Sequence, residues 1–146
     1  MLFELAEGLI DEYGFHPTLF PPPVNGTDHT GYYDADLLAK KGKHVPAHGN
    51  TLAVQLVVDG MKLQPCRPSF QNARDAIVTA DEALTGGKNY CVIQHAFARR
   101  GLGPASRVVG STPWGGGSRT EDYSPPSRCA DDGGKKKKKQ GKAFYA

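Results

Sequence analysis

The first part of the chain carries apolar residues at helical spacing, with acidic residues between them. The apolar positions are Leu2, Leu5, Leu9 and Ile10, and the pattern stops at Gly14. This spacing gives one apolar face and predicts a helix over residues 1–14. Since no Ser, Thr, Asp or Asn precedes Leu2 to cap it, we expect a helix that is truncated at its start.

A second helical pattern runs from Asn50 to about Gln64. Its apolar positions are Leu52, Val54, Leu56, Val57, Val58, Met61 and Leu63. Asn50 stands just before them and is the predicted N-cap. The turn Pro65-Cys66-Arg67-Pro68 follows and ends the helix.

The clearest amphipathic pattern comes next, after Ser69, which can cap it. Its apolar positions are Phe70, Ala73, Ile77, Ala80 and Leu84, and its polar positions are Gln71, Arg74, Asp75, Asp81 and Glu82. Gly86-Gly87 supplies the stop. A last helix contains Cys91 and Phe97 and ends before Gly101. Residues 50–103 are therefore predicted to form a helical subdomain, and the fold class is mainly α.

Two stretches lack this periodicity. Residues 15–49 are interrupted by prolines and glycines and are interpreted as an irregular loop or insertion. Residues 104–146 are rich in Gly, Pro and Lys and are predicted to be a disordered tail. The glycines of 115–117 lack the strand and helix of a phosphate loop and are interpreted as a linker.

Composition narrows the function classes. Only 38% of the residues are hydrophobic, so the chain can bury one small core. The net charge is +3, and Lys135–Lys139 alone contribute five positive charges, so the body has no basic field for specific nucleic-acid binding. No apolar run approaches the roughly 18 residues that a membrane helix needs.

Three cysteines leave one unpaired in any disulfide scheme. A bridge between Cys66 and Cys91 would close a loop of about 25 residues, worth roughly 3 kcal/mol in the chain-entropy model. Two buried thiols are the alternative, because a helix of about 16 residues, about 24 Å long, would separate the two cysteines. Asn25, in Asn25-Gly26-Thr27, would accept a glycan if the chain is secreted.

The histidines do not form a metal-ligand pattern. His44 and His48 have four-residue spacing, but Pro46 lies between them and argues against the helix that would align their rings. His16, His29 and His95 have no spaced partners. Asp75, Asp81 and Glu82 are interpreted as a solvated polar helix face. We therefore predict no catalytic residue and no metal ligand in this chain.

Several stretches together resemble the fungalysin family of fungal extracellular zinc metalloproteases, family M36. The most specific is Asp59-Gly-Met-Lys-Leu-Gln-Pro-Cys66, within a longer run that begins at Leu52. The others are Phe70-Gln-Asn-Ala-Arg-Asp-Ala-Ile77, Ala83-Leu-Thr-Gly-Gly87, Ala96-Phe-Ala-Arg-Arg-Gly-Leu-Gly103 and the opening Met1 to Gly14. The resemblance covers a little over half of the chain, and residues 15–49 and the lysine tail depart from the family pattern.

This resemblance implies a thermolysin-like fold in which residues 50–103 are the C-terminal helical subdomain and form one wall of the cleft. The family zinc is held by two histidines of H-E-x-x-H and a downstream glutamate. The sequence contains no H-E-x-x-H, so no family ligand or base can be carried over. The implied partners are the catalytic portion and propeptide of the parent and its protein substrates, and the implied location is extracellular.

Three functional hypotheses follow. The first is a fragment of a secreted zinc metalloendopeptidase that is inactive by itself and binds no zinc through its own residues. The second is a non-catalytic helical protein-binding module. The third, weaker, is polyanion binding through Lys135–Lys139.

Overall fold

Within the residues that the structure describes, the chain is mainly helical, as predicted. The structure is a computed structural model that describes residues 1–21, 31–110 and 117–134. The helices are α1 (Leu2–Tyr13), α2 (Ala35–Lys41), α3 (Gly49–Leu63), α4 (Phe70–Thr85) and α5 (Tyr90–Ala98). The strands β1 (Arg107–Val109) and β2 (Ser118–Thr120) and a 3-10 helix (Ser127–Gly134) follow. No helix of these ranges is long and apolar enough to cross a membrane.

Helices α1, α3, α4 and α5 share one hydrophobic core. Its fully buried side chains include Leu5 and Leu9 of α1, Leu56 of α3, and Ile93 and Phe97 of α5. Leu5, Leu9 and Leu56 are positions that the helical spacing placed on the apolar faces. The predicted helices therefore pack through part of the predicted faces, whereas other positions of those faces, such as Val54 and Phe70, are exposed.

Two glycines allow helices to approach closely. A Cβ on Gly49, at the start of α3, would lie 2.2 Å from the carbonyl carbon of Leu9 in α1. A Cβ on Gly60 would lie 2.8 Å from Cγ1 of Ile77 in α4. The first contact is with backbone, which cannot move aside without separating the two helices.

The predicted cap of α4 is confirmed. The N–H of Asn72 donates to Oγ of Ser69 at 3.2 Å, and the N–H of Ser69 donates to Oδ1 of Asn72 at 2.9 Å. This reciprocal pair satisfies two backbone donors at the start of the helix. At the other end, Gly86 adopts the left-handed conformation, with φ 81°, that terminates the helix.

The predicted cap of α3 is wrong. The helix begins at Gly49, and His48 is its N-cap. Asn50 is used elsewhere, because its Oδ1 accepts the N–H of His16 at 2.9 Å and its Nδ2 donates to the carbonyl of His16 at 2.8 Å. The amide therefore fastens the segment after α1 to the first turn of α3.

The stretch interpreted as an irregular loop contains helix α2. Asp34 caps it by accepting the N–H of Leu37 at 2.9 Å, and Gly42 ends it with φ 61°. An antiparallel bridge between Tyr33 and Pro46 then closes the segment and brings buried Val45 to the core. Residues 22–30, with the predicted glycan acceptor Asn25 and with His29, lie outside the described residues.

Within the stretch predicted to be disordered after Gly103, residues 104–110 and 117–134 contain defined secondary structure. Strands β1 and β2 pair antiparallel, with Val108 opposite Arg119. A parallel bridge joins Leu102 to Asp122, and the 3-10 helix then contacts α5. Residues 111–116 and 135–146, which include Lys135–Lys139, lie outside the described residues.

Candidate functional site

A buried polar network joins three helices where α1 and α4 end and α5 begins. Oδ1 of the fully buried Asp81 accepts hydrogen bonds from Oγ1 of Thr85 and from Nδ2 of Asn89, both at 2.7 Å. Oδ2 of Asp81 accepts the N–H of Asn89 at 2.9 Å. The hydroxyl of Tyr13 donates to Oδ1 of Asn89 at 2.7 Å and so adds α1 to the network.

This network replaces the solvated acidic face that the sequence pattern suggested for Asp81. Both of its carboxylate oxygens have donors, and it lies at the N-terminus of α5, where the helix dipole favours negative charge. Buried polar groups are stable only when they are paired in this way. We therefore assign Asp81 a structural role, which is to hold the start of α5 to α4. We do not assign it a catalytic role.

Tyr13 acts in this network as a hydrogen-bond donor. Burial raises the pKa of Tyr13 to about 12, and the negative charges of Glu12, Asp81 and Asp34 act in the same direction. The phenol consequently stays protonated near neutral pH. The hydroxyl can therefore donate its hydrogen bond to Asn89 under those conditions, and it is not available as a base.

A second buried polar contact fixes the turn after α5. Nη1 of Arg74, in α4, donates to the carbonyls of Leu102 at 2.8 Å and of Gly103 at 2.6 Å. The N–H of Gly103 in turn donates to the carbonyl of Asp122 at 2.7 Å. A Cβ on Gly103 would lie 2.5 Å from the carbonyl oxygen of Ser124, so the close approach requires glycine.

Asp122 reinforces the same turn from the other side. Its carboxylate accepts the N–H of Ser124 at 3.0 Å and the N–H of Ala105 at 2.7 Å. These backbone hydrogen bonds, with that of Ser124 first, hold the pKa of Asp122 below its ordinary value. The turn is therefore held by a buried cation from α4 and by a carboxylate from the C-terminal segment.

The bridge considered between Cys66 and Cys91 is not the one in the structure. Cys91 is bonded to Cys129, with the two Cα atoms 5.4 Å apart, and Cys66 is an exposed free thiol. The reason is geometric, because α4 separates the turn that holds Cys66 from the start of α5. The 3-10 helix instead brings Cys129 directly to α5.

Two further contacts support this attachment of the C-terminal segment to α5. The guanidinium carbon of Arg128 lies 3.2 Å from the ring centroid of Tyr90, a cation–π distance. Nε2 of His95 lies 3.1 Å from the carbonyl oxygen of Cys129. His95 is therefore a packing residue beside the disulfide.

His16, His44 and His48 make aromatic contacts in the structure. The rings of His16 and His48 have centroids 4.9 Å apart, whereas the ring of His44 lies 5.1 Å from that of Tyr33. His44 and His48 thus have different partners despite their four-residue spacing. The contact of His16 with His48 was not predicted from the sequence, because it depends on the two hydrogen bonds between the Asn50 side chain and the backbone of His16.

These donor sets do not fit a catalytic zinc ion. Such a site needs three protein ligands that converge on one point. In residues 1–21, 31–110 and 117–134 there is no group of three His, Cys, Asp or Glu side chains that could hold a metal ion.

One exposed surface of the helical unit is apolar. Val54, Val58 and Met61 lie along the outside of α3 and are exposed by 47%, 39% and 58%. Their spacing of four and three residues places them on one stripe of the helix. This outer face of α3, defined by these three residues, is not covered by the core of the helical unit.

The family model and the curated relatives that match this chain are all metallopeptidases. The family described as fungalysin metallopeptidase (M36) matches residues 1–106. A probable extracellular metalloproteinase 2 of Arthroderma benhamiae is 39% identical over 129 residues, which are 88% of this chain and 16% of the relative. Extracellular metalloproteinase 2 of Trichophyton rubrum is 37% identical over the same shares.

A further relative, extracellular metalloproteinase 3 of Arthroderma otae, is 48% identical over 103 residues, which are 70% of this chain and 13% of the relative. The chain thus spans about a sixth of the length of the curated relatives it matches. The matched family region contains α1 to α5 together with the Asp81 network and Arg74. The chain therefore belongs to the fungalysin family of metallopeptidases, M36.

Proposed function

We propose that this chain supplies the helical wall of a secreted zinc-dependent metalloendopeptidase, and that the zinc ligands and the general base belong to another part of the parent protein. The observation that carries the proposal is the family match over residues 1–106 of a chain whose sequence contains no H-E-x-x-H. The matched residues form a packed helical unit without a metal-ligand cluster in its described part. Its role is then structural support of a site held elsewhere.

The buried contacts suit that role, because a cleft wall must hold its shape while a peptide binds. The Asp81 network fixes α1, α4 and α5 relative to one another, and Arg74 fixes the turn after α5. Supporting residues of this kind keep a site within the narrow geometry that catalysis requires. A loss of either contact would loosen the wall without touching the chemistry.

An extracellular location is part of the proposal. The relatives are named extracellular metalloproteinases. The disulfide between Cys91 and Cys129 belongs to an oxidising compartment, since cytosolic thiols are kept reduced. We propose further that the partners of the chain are the catalytic portion and propeptide of the parent, and that the intact enzyme hydrolyses proteins.

The test is a caseinolysis assay on the purified chain with added Zn²⁺, with and without a chelator. The expected result is no cleavage above the buffer control in either condition. Zinc-dependent cleavage that the chelator abolishes would overturn the proposal, because it would require ligands and a base within these 146 residues. An extracellular M36 relative assayed in parallel is the positive control.

A stand-alone protein-binding module is the second candidate, and it is favoured by a core that four helices of the chain share. The two candidates differ in stability. An independent module should unfold in one cooperative thermal transition and expose no dye-binding surface beforehand. A wall that normally packs against a larger protein should bind a hydrophobic dye in its native state, before it unfolds.

A further inference from the structure

Helix α3 is apolar around more of its circumference than its own core can cover. At about 100° per residue, its side chains from Leu52 to Met61 spread apolar positions over about 240°. After the first turn, the polar residues Gln55, Asp59 and Lys62 fall within the remaining arc, whereas Asn50 of the first turn lies inside the apolar arc and is buried. A helix that is apolar on most sides is normally buried on most sides.

The described structure buries only part of this arc. Helices α1 and α4 pack against the side that carries Leu52, Ala53 and Leu56. The outer face of α3, Val54, Val58 and Met61, points the opposite way and lies within about 60° of arc. Val57, which is partly buried, connects the covered side to this face without a charged residue between them.

The polar side of the same helix is already complete. Nε2 of Gln55 donates to Oδ2 of Asp59 at 2.6 Å, and Nζ of Lys62 donates to Oδ1 of Asp59 at 2.8 Å. These residues form a local charged network that suits contact with water. The polar side of α3 therefore runs along Gln55, Asp59 and Lys62, and the exposed apolar face lies beside it.

We infer that the outer face of α3 is an interface, and that its occupant is the remainder of the M36 peptidase to which this helical unit belongs. The chain covers 16% of the relatives it matches, so a large folded body of the same protein is available to cover the face. A second copy of the chain is the competing occupant. The inference rests on the proposed function and adds to it the surface through which the wall is attached.

The experiment is reconstitution in trans. The full 146-residue chain is added to the remainder of the Trichophyton rubrum extracellular metalloproteinase 2, prepared without its matched segment and shown to regain caseinolysis when that segment is returned. Binding is measured by fluorescence anisotropy, and activity by chelator-sensitive casein cleavage. The test variant is the double substitution Val54→Lys and Val58→Lys.

The matched control is Val109→Lys, which makes the same chemical change on β1, where the side chain is exposed by 65%. All variants should keep the thermal midpoint of the wild type within a few degrees, because each residue is exposed and a lysine stem can lie on an apolar surface. We expect the double variant to bind at least ~100-fold more weakly than wild type, since the interface would bury both valines and each lysine would bring a charge into it. The Val109→Lys chain should bind within about twofold of wild type.

The outcomes separate the two proposals. Restoration by wild type and equally by the double variant would overturn the interface and leave the proposed function standing. A wild-type chain that neither binds nor restores activity would overturn both. Sedimentation equilibrium tests whether the chain dimerises. If the wild-type chain forms a dimer that the double substitution abolishes, and if it does not bind the peptidase remainder, the face belongs to a second copy and the inference is overturned.

Discussion

Replacing Asp81 by asparagine tests whether the buried network holds the helical unit together. The substitution keeps the size of the side chain but exchanges one acceptor oxygen for an NH₂ group. In one orientation that group faces the N–H of Asn89, and in the other it faces the Nδ2 group of Asn89. Each orientation therefore sets two donors against each other in a site that excludes water.

The magnitude follows from the number of hydrogen bonds that are affected. Hydrogen bonds to a charged group contribute about 1.5–3 kcal/mol each, and an unsatisfied buried donor costs about 1–3 kcal/mol. One lost bond with one unsatisfied donor gives an expected destabilisation of about 2.5–6 kcal/mol. With a urea m-value of about 2 kcal/mol/M, the unfolding midpoint should fall by about 1–3 M.

The assay is urea unfolding followed by far-UV circular dichroism at pH 7, with the disulfide intact. Asp36→Asn is the matched control, because the carboxylate of Asp36 is 84% exposed and pairs only with Lys40 on the surface of α2. That control should stay within about 0.5 kcal/mol of wild type. An Asp81→Asn protein as stable as the control would refute the structural role of the network.

Three other predictions test separate features. The pKa of Tyr13 is about 12 in the fold and about 10 in the unfolded chain, so its contribution to stability is complete below pH 10 and is lost as the pH rises toward 12. The free energy of unfolding measured over this range should fall less steeply in Tyr13→Phe than in wild type. Identical slopes would refute the assignment. Cys129→Ser removes the disulfide, whose cysteines are separated by 38 in sequence, and should lower the free energy of unfolding by about 4 kcal/mol in the chain-entropy model. Cys66→Ser should leave the thermal midpoint unchanged, because Cys66 is a free thiol. The reverse ranking would contradict the observed pairing. Gly49→Ala places a Cβ against the Leu9 backbone and should lower the free energy of unfolding by more than 3 kcal/mol. The control Gly8→Ala meets only a Val92 methyl group and should lower it clearly less. Equal losses in chemical denaturation would argue against the close crossing of α1 and α3.

The sequence predicted the helices whose signals are local. α4 carries a regular apolar face, a side-chain cap at Ser69 and a terminating glycine at Gly86, and all three appear in the structure. α2 was missed because it has only seven residues and no buried side chain, so it shows no periodic face. Its capping residues, Asp34 and Gly42, were the available signal.

The features missed elsewhere depend on distant parts of the chain. Asp81 reads as one more polar residue of α4 until Asn89 and Tyr13 are brought next to it, at sequence separations of 8 and more. The pairing of Cys91 with Cys129 likewise depends on the return of the chain through β1 and β2. Asn50 was a reasonable N-cap by residue type, but the segment after α1 competes for its amide.

The division of labour between this chain and the rest of its parent can be measured by titration. The peptidase remainder, lacking its matched segment, is held at fixed concentration with Zn²⁺ while increasing amounts of the chain are added, and casein cleavage is recorded. We predict that neither component cleaves casein alone, and that chelator-sensitive activity appears on mixing and saturates at one chain per remainder. Activity of the chain alone, or no activity at any ratio although the native segment restores it, would contradict a wall that supports a zinc site held elsewhere.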